Sequence, residues 1–211
     1  MKIVSLNLSL PRTIRWRGES VSTGIYKEPS KIPVRLSMLN FEGDAQADLS
    51  VHGGPDKAVY AYAAEHYALW KRELFRSELP YGMFGENLTI EGGLFEDAVL
   101  VGDRFTAGTA ELVAVQPRLP CYKLGIRFGT QRIVAQFAAA RRYGVYFRVL
   151  KEGVVAPGDV FVKTGEGTAK ISIRDVGRMI LEGSDDAELI GKAAHAEFLP
   201  ARLRDHFLSL L

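Results

Sequence analysis

Short segments in which apolar and polar residues alternate recur from Lys2 to Val162, with glycine-containing turns between them. A period of two sends successive side chains to opposite faces, so each segment reads as a β-strand with at least one buried face. The candidates are residues 2–8, 32–36, 58–62, 99–105, 110–115, 143–150 and a closing strand that ends at Val162. Residues 22–27 read as a turn into a further short strand, and Pro33 marks an edge position because it cannot donate to a ladder. Helical spacing interrupts this pattern twice, at 63–75 through Ala63, Tyr67, Trp70 and Leu74, and at 133–140. The expected architecture is mainly β, a sandwich or barrel with inserted helices.

Past Gly165 and Gly167 the pattern changes. Residues 172–180, 185–194 and 201–211 have amphipathic helical spacing, with Ser184 as an expected N-cap and Pro200 before the last helix. The expected organisation is a β domain over 1–163 and a three-helix extension over 164–211.

A chain of 211 residues, 47% hydrophobic, can bury a sizeable core. Its net charge of +2 gives no basis for binding a nucleic acid polymer, which calls for a concentrated basic face. Arg12, Arg15 and Arg17 around Trp16 read as a solvated loop. A single cysteine excludes an intrachain disulfide and fits a reducing cytoplasm, and no apolar run is long enough for a bilayer span.

That cysteine is the chemically pointed residue. Cys121 lies in Gln116-Pro117-Arg118-Leu119-Pro120-Cys121-Tyr122-Lys123, with a cation three residues before it and another two after. Positive neighbours favour the thiolate, which is both the nucleophile and the soft-metal ligand, and Pro120 restricts the backbone beside it. A buried, inert thiol is the competing reading.

Between Asn40 and Lys57 the chain is dense in turn residues and charges. Asp44, Asp48, His52 and Asp56 recur every four residues, but Gly43 and Gly53-Gly54-Pro55 exclude one continuous helix. The better reading is a loop whose Gly53 and Gly54 amides, with Lys57, meet an anion. Asn87 sits between a glycine turn and a strand, where its amide serves a ligand or caps the turn.

In chain order, Ser22-Thr23-Gly24-Ile25-Tyr26-Lys27, Phe41-Glu42-Gly43-Asp44 with Asp48, Val51-His52-Gly53-Gly54-Pro55-Asp56-Lys57-Ala58-Val59, Phe84-Gly85-Glu86-Asn87-Leu88, Val101-Gly102-Asp103 and the Cys121 turn resemble the MOSC family, named for the molybdenum cofactor sulfurase C-terminal domain. The likeness is nearest to the stand-alone bacterial YiiM-like type with a three-helix extension. It implies a closed β-barrel that carries a molybdenum-pterin cofactor in a cleft, with Cys121 as the protein's ligand to molybdenum. Arg118, Lys123, His52, Lys57 and Arg148 become candidates for the pterin phosphate or for charge at the metal. Asn87, Asp56, Gly53 and Gly54 become candidates for orienting cofactor or substrate.

The resemblance further implies reduction of N-hydroxylated compounds, such as N-hydroxylated purine bases and amidoximes, with electrons from a separate flavin or iron-sulfur protein. An outside donor suits a chain with no nucleotide-binding glycine fingerprint and too few cysteines for an iron-sulfur cluster. Two other roles stay open. Cys121 could carry a persulfide for cofactor maturation, as in members fused to a pyridoxal-phosphate desulfurase, or the chain could carry cofactor without turnover. The oligomeric state is also open, a dimer included.

Overall fold

A computed structural model describes residues 1–47 and 53–211. The strands are β1 Lys2–Leu8, β2 Arg12–Trp16, β3 Glu19–Thr23, β4 Glu28–Ser30, β5 Val34–Leu36, β6 Val59–Ala63, β7 Leu88–Glu91, β8 Arg104–Ala107, β9 Ala110–Pro117, β10 Val145–Lys151, β11 Gly153–Val155 and β12 Phe161–Gly165. The helices are α1 Ala64–Glu73, α2 Tyr122–Phe128, α3 Arg132–Ala140, α4 Ile173–Glu182, α5 Ala187–Ala194 and α6 Ala201–Leu208.

Eight strands form one mixed sheet in the order β12-β8-β9-β10-β6-β7-β1-β4. Every pairing is antiparallel except β6 with β7, which α1 separates in sequence and which run parallel. The sheet curls without closing into the expected barrel. Its ends approach at one bridge, Lys2 to Val160, flanked by Ile3 N to Asp159 O at 2.9 Å and Phe161 N to Met1 O at 2.9 Å. The outer edge of β1 is divided, since Leu6, Asn7 and Leu8 pair with β4 while its first residues meet the turn ahead of β12, leaving no full ladder.

β6 explains how the core is arranged. Its sequence, Val-Tyr-Ala-Tyr-Ala, is buried on both faces. Val59, Ala61 and Ala63 turn to the concave interior with Phe105, Phe147 and Phe161. Tyr60 and Tyr62 turn outward into an aromatic cluster with Trp70 of α1, Leu124 and Phe128 of α2, and Ile133 and Phe137 of α3. Each large apolar side chain so buried contributes about 1.5–3 kcal/mol. The three tail helices close the other end of the interior, where Val176 and Met179 of α4, Ile190 of α5 and Phe207 of α6 join its core.

Four local expectations need correction. Arg12–Trp16 is no loop but one arm of a hairpin, β2 with β3, in register from Arg12 opposite Thr23 to Trp16 opposite Glu19. The strand expected over 99–105 begins only at Arg104, because Gly102 takes a φ of 92° and the buried Asp103 caps the turn by accepting from Leu100 N and Gly167 N. The helix α2 is an addition, since its seven residues are too few to carry a clear apolar period. The N-cap of α5 is Asp186, whose carboxylate accepts from Leu189 N at 3.0 Å, and Ser184 instead accepts from Asp186 N.

Candidate functional site

β9 ends at Pro117 and hands the chain to an extended run that closes at Cys121, the N-cap residue of α2, with φ −134° and ψ 170°. Leu124 N donates to Cys121 O at 2.9 Å, and α2 stops at Gly129 in the left-handed region. The thiol is half-buried and lines an open cleft with an enclosed volume of about 100 Å³. The cleft's walls are the 23–27 segment, residues 45–47, the Phe84-Gly85 turn, Tyr60 and Tyr146 from neighbouring strands, and the Cys121 run itself.

Positive charge dominates the lining. Arg118, Lys123, Lys57 and Lys27 all reach it. Arg118 is only 6% exposed, sits over the rings of Phe137 and Tyr60 at 5.1 and 5.7 Å, and keeps Nη1 buried with no hydrogen-bond acceptor among the described residues. A buried guanidinium nitrogen left without an acceptor is costly, and an anionic ligand would satisfy it. Burial, then Arg202 of α6, pull the Lys57 ammonium below the ordinary lysine range, against the pull of Asp56 and Cys121. Burial lifts the Tyr60 phenol well above its usual range and lifts Tyr146 as well, so both stay neutral.

The floor is a buried polar network. Asp44 accepts from Lys27 Nζ, from Ser9 N at 2.9 Å and from Asn87 Nδ2 at 2.8 Å. Burial pulls Lys27 below the usual lysine range even though Asp44 opposes the shift. Asn87 also accepts from Tyr60 N through Oδ1 at 3.1 Å, so its amide is spent on the architecture as well as on Asp44. Glu86 holds the adjoining turn by accepting from Tyr67 Oη, Gly82 N, Phe84 N and Thr89 Oγ1.

Of the residues proposed from sequence, Cys121, Arg118, Lys123, Lys57 and Asn87 converge on this cleft. Asp56 and Arg148 do not line it and pair with each other, Arg148 Nε lying 2.8 Å from the carboxylate. Gly53 and Gly54 precede the single helical turn Pro55–Lys57 and do not line it either. His52, like Asp48, lies outside the described residues. Sequence reasoning missed Lys27, Tyr60 and Tyr146 as lining residues. The sequence alone carries no signal for Lys27; in the structure Thr23, Ile25 and Lys27 are buried in alternation with half-exposed Gly24 and Tyr26, which turns the lysine inward.

Among the described residues no group of three His, Cys, Asp or Glu side chains could hold a metal ion. One soft sulfur donor beside several cations fits a metal that arrives on an anionic organic group supplying its other ligands, which is the donor set a molybdenum-pterin requires. Among the described residues no helix is long and apolar enough to cross a membrane.

The described residues thus form a curled mixed sheet that presents one thiol in a cationic cleft. The MOSC domain model matches residues 48–162, and the chain belongs to that family. Protein YflK of Bacillus subtilis is 45% identical over 177 residues, spanning 84% of this chain and 79% of that one. The crystal structure of YiiM from Geobacillus stearothermophilus aligns with a TM-score of 0.82 at 34% identity, covering 99% of this chain and 97% of that one. A Gibberella moniliformis protein named reductase is 34% identical over 166 residues, 77% of this chain but 29% of that longer protein. The chain is thus a YiiM-like MOSC protein, of a family associated with the molybdenum cofactor.

Proposed function

We propose that this protein binds a molybdenum-pterin cofactor through Cys121 and reduces N-hydroxylated compounds with electrons from a separate redox protein. The observation that carries this reading is the half-buried thiol in a cleft whose buried Arg118 has a nitrogen without an acceptor among the described residues. The reductase name of the Gibberella moniliformis relative also supports it. The bound cofactor would supply the two-electron chemistry that removes oxygen from an N–OH group. In each turnover R–NH–OH, two electrons and two protons give R–NH2 and water.

The chain's own residues have separable tasks. Cys121 Sγ would be the one protein donor to the metal, while Arg118, Lys57 and Lys123 would neutralise the pterin phosphate. Tyr60 and Tyr146, with ring centroids 5.2 Å apart, form an apolar wall against which a planar base can lie. Lys27 is a weaker phosphate anchor because Asp44 already neutralises it. Its Nζ can instead hand a proton to the departing hydroxyl, and burial makes that proton easier to release.

The test is metal analysis of freshly purified protein together with N-hydroxylaminopurine reduction driven by dithionite. Molybdenum with turnover supports the reductase. Molybdenum without turnover indicates a carrier, and sulfane sulfur without metal indicates a persulfide role for Cys121.

A further inference from the structure

Among the described residues two carboxamides line the cleft, Asn87 and Gln46, and they differ in what they are already bonded to. Asn87 spends its amide on Tyr60 N and Asp44. Gln46 is half-exposed and makes no hydrogen bond among the described residues. The backbone that carries it is nonetheless fixed. Ala45 N donates to Ser9 O at 3.1 Å, Asn40 Nδ2 donates to Asp44 O at 3.1 Å, and Gly24 packs so closely that a Cβ there would stand 2.6 Å from Ala45 O. With alanine on either side, Gln46 is the polar side chain that residues 45–47 bring to the cleft.

That amide differs chemically from the rest of the lining. Arg118, Lys123, Lys57 and Lys27 can only donate. The Tyr60 hydroxyl already donates to Tyr143 O at 2.9 Å, and Thr23 Oγ1 accepts from Ile25 N at 3.2 Å. Gln46 therefore brings an uncommitted acceptor, Oε1, and an uncommitted donor, Nε2, on one planar group. A ligand that presents an N–H beside an acceptor nitrogen pairs with both at once. Lys27, held by Asp44 two residues before Gln46, opens into the same cleft.

We infer that Gln46 selects the substrate, its carboxamide reading an edge on which an N–H and an acceptor nitrogen stand side by side. The inference rests on the reductase reading above and narrows it. N-hydroxylated aminopurines and amidoximes carry that pair on one conjugated unit and are preferred, whereas simple hydroxylamines lack the second nitrogen. Gln46 Oε1 accepts from the N–H, and Nε2 donates to the second nitrogen. A ring lying against Tyr60 and Tyr146 keeps its edge free for both bonds. The amide exchanges no proton or electron with the substrate, so its effect falls on recognition.

The experiment has a binding arm and a kinetic arm, both on the cofactor-loaded protein. Titration calorimetry compares adenine, which offers the paired edge, with purine, which lacks the exocyclic N–H. Wild type should bind adenine about tenfold more tightly, the effect of one net hydrogen bond, and Gln46→Leu should erase the difference. With dithionite as donor, wild type should favour N-hydroxylaminopurine over N-phenylhydroxylamine, and Gln46→Leu should cut that ratio of kcat/KM values about tenfold, mostly through KM. Molybdenum content and melting point report whether the variant is loaded and folded, and the adenine preference of the wild type is a test that does not depend on the variant. Equal binding of adenine and purine by the wild type, or a substrate ratio that Gln46→Leu leaves unchanged, overturns the selection by Gln46. An adenine preference that Gln46→Leu erases, without turnover of either N-hydroxylated compound, overturns the reductase reading instead and supports the edge recognition.

Discussion

Replacing Lys27 with Met should destabilise the protein by about 3 kcal/mol, at the lower end of the ~3–5 kcal/mol seen when one member of a buried ion pair is removed. The lower end applies because Asp44, with a side chain 1% exposed, keeps two donors, Ser9 N and Asn87 Nδ2. For a chain of this length, about 2–4 °C of melting temperature is lost per kcal/mol, so the midpoint should drop by roughly 6–12 °C. Adding Asp44→Asn neutralises the stranded charge. The double variant should therefore be more stable than the sum of the two single effects, with a coupling of at least about 1.5 kcal/mol. Urea denaturation and scanning calorimetry at pH 7 measure all four proteins of the cycle. A Lys27→Met midpoint within about 2 °C of wild type, or additive effects across the cycle, would refute the claim that this pair forms the charged floor of the cleft.

Cys121→Ser should leave stability within about 1 kcal/mol of wild type, because a half-buried thiol contributes little packing, while molybdenum content by mass spectrometry and turnover are both lost. Glu86 tests burial through pH: burial raises its carboxyl above the ordinary value of about 4.3, so the folded state binds the proton more tightly. Its favourable contribution is fully present below about pH 4.3 and is lost as pH rises through the raised folded-state value. The stability of Glu86→Gln relative to wild type should consequently improve between about pH 4.3 and pH 7, and a flat difference in urea titrations would contradict this. Gly177→Ala places a Cβ 2.3 Å from Tyr143 Cε2 where α4 packs on the body, so it should cost about 1–3 kcal/mol by denaturation and leave cofactor content per folded molecule unchanged.

Much of the strand pattern was legible because the alternating side chains of β1, β6, β9 and β10 carry their period in the sequence itself. The thiol turn was legible for a different reason, since two prolines and two cations leave a chemical signature within eight residues. What stayed hidden was mostly long-range. Asp56 and Arg148 are 92 residues apart, and nothing local shows that they satisfy each other. The β2–β3 hairpin was hidden because arginines at Arg12, Arg15 and Arg17 mask the alternation of Ile14 and Trp16. Closure of the sheet depends on which partner takes the far edge of β1, a competition that no single strand's composition decides.

Asn87 has a consequence for how such a protein is dissected. Its backbone N–H donates to Tyr60 O at 2.7 Å, its backbone carbonyl accepts from Asn7 N at 2.6 Å, and its side chain reaches Tyr60 N and Asp44. One residue thereby splices three strands and steadies a carboxylate beneath the ligand space. An alanine scan scored on turnover alone would rank it as chemistry when the loss is one of masonry, so soluble yield and melting point belong beside every rate measured at this position.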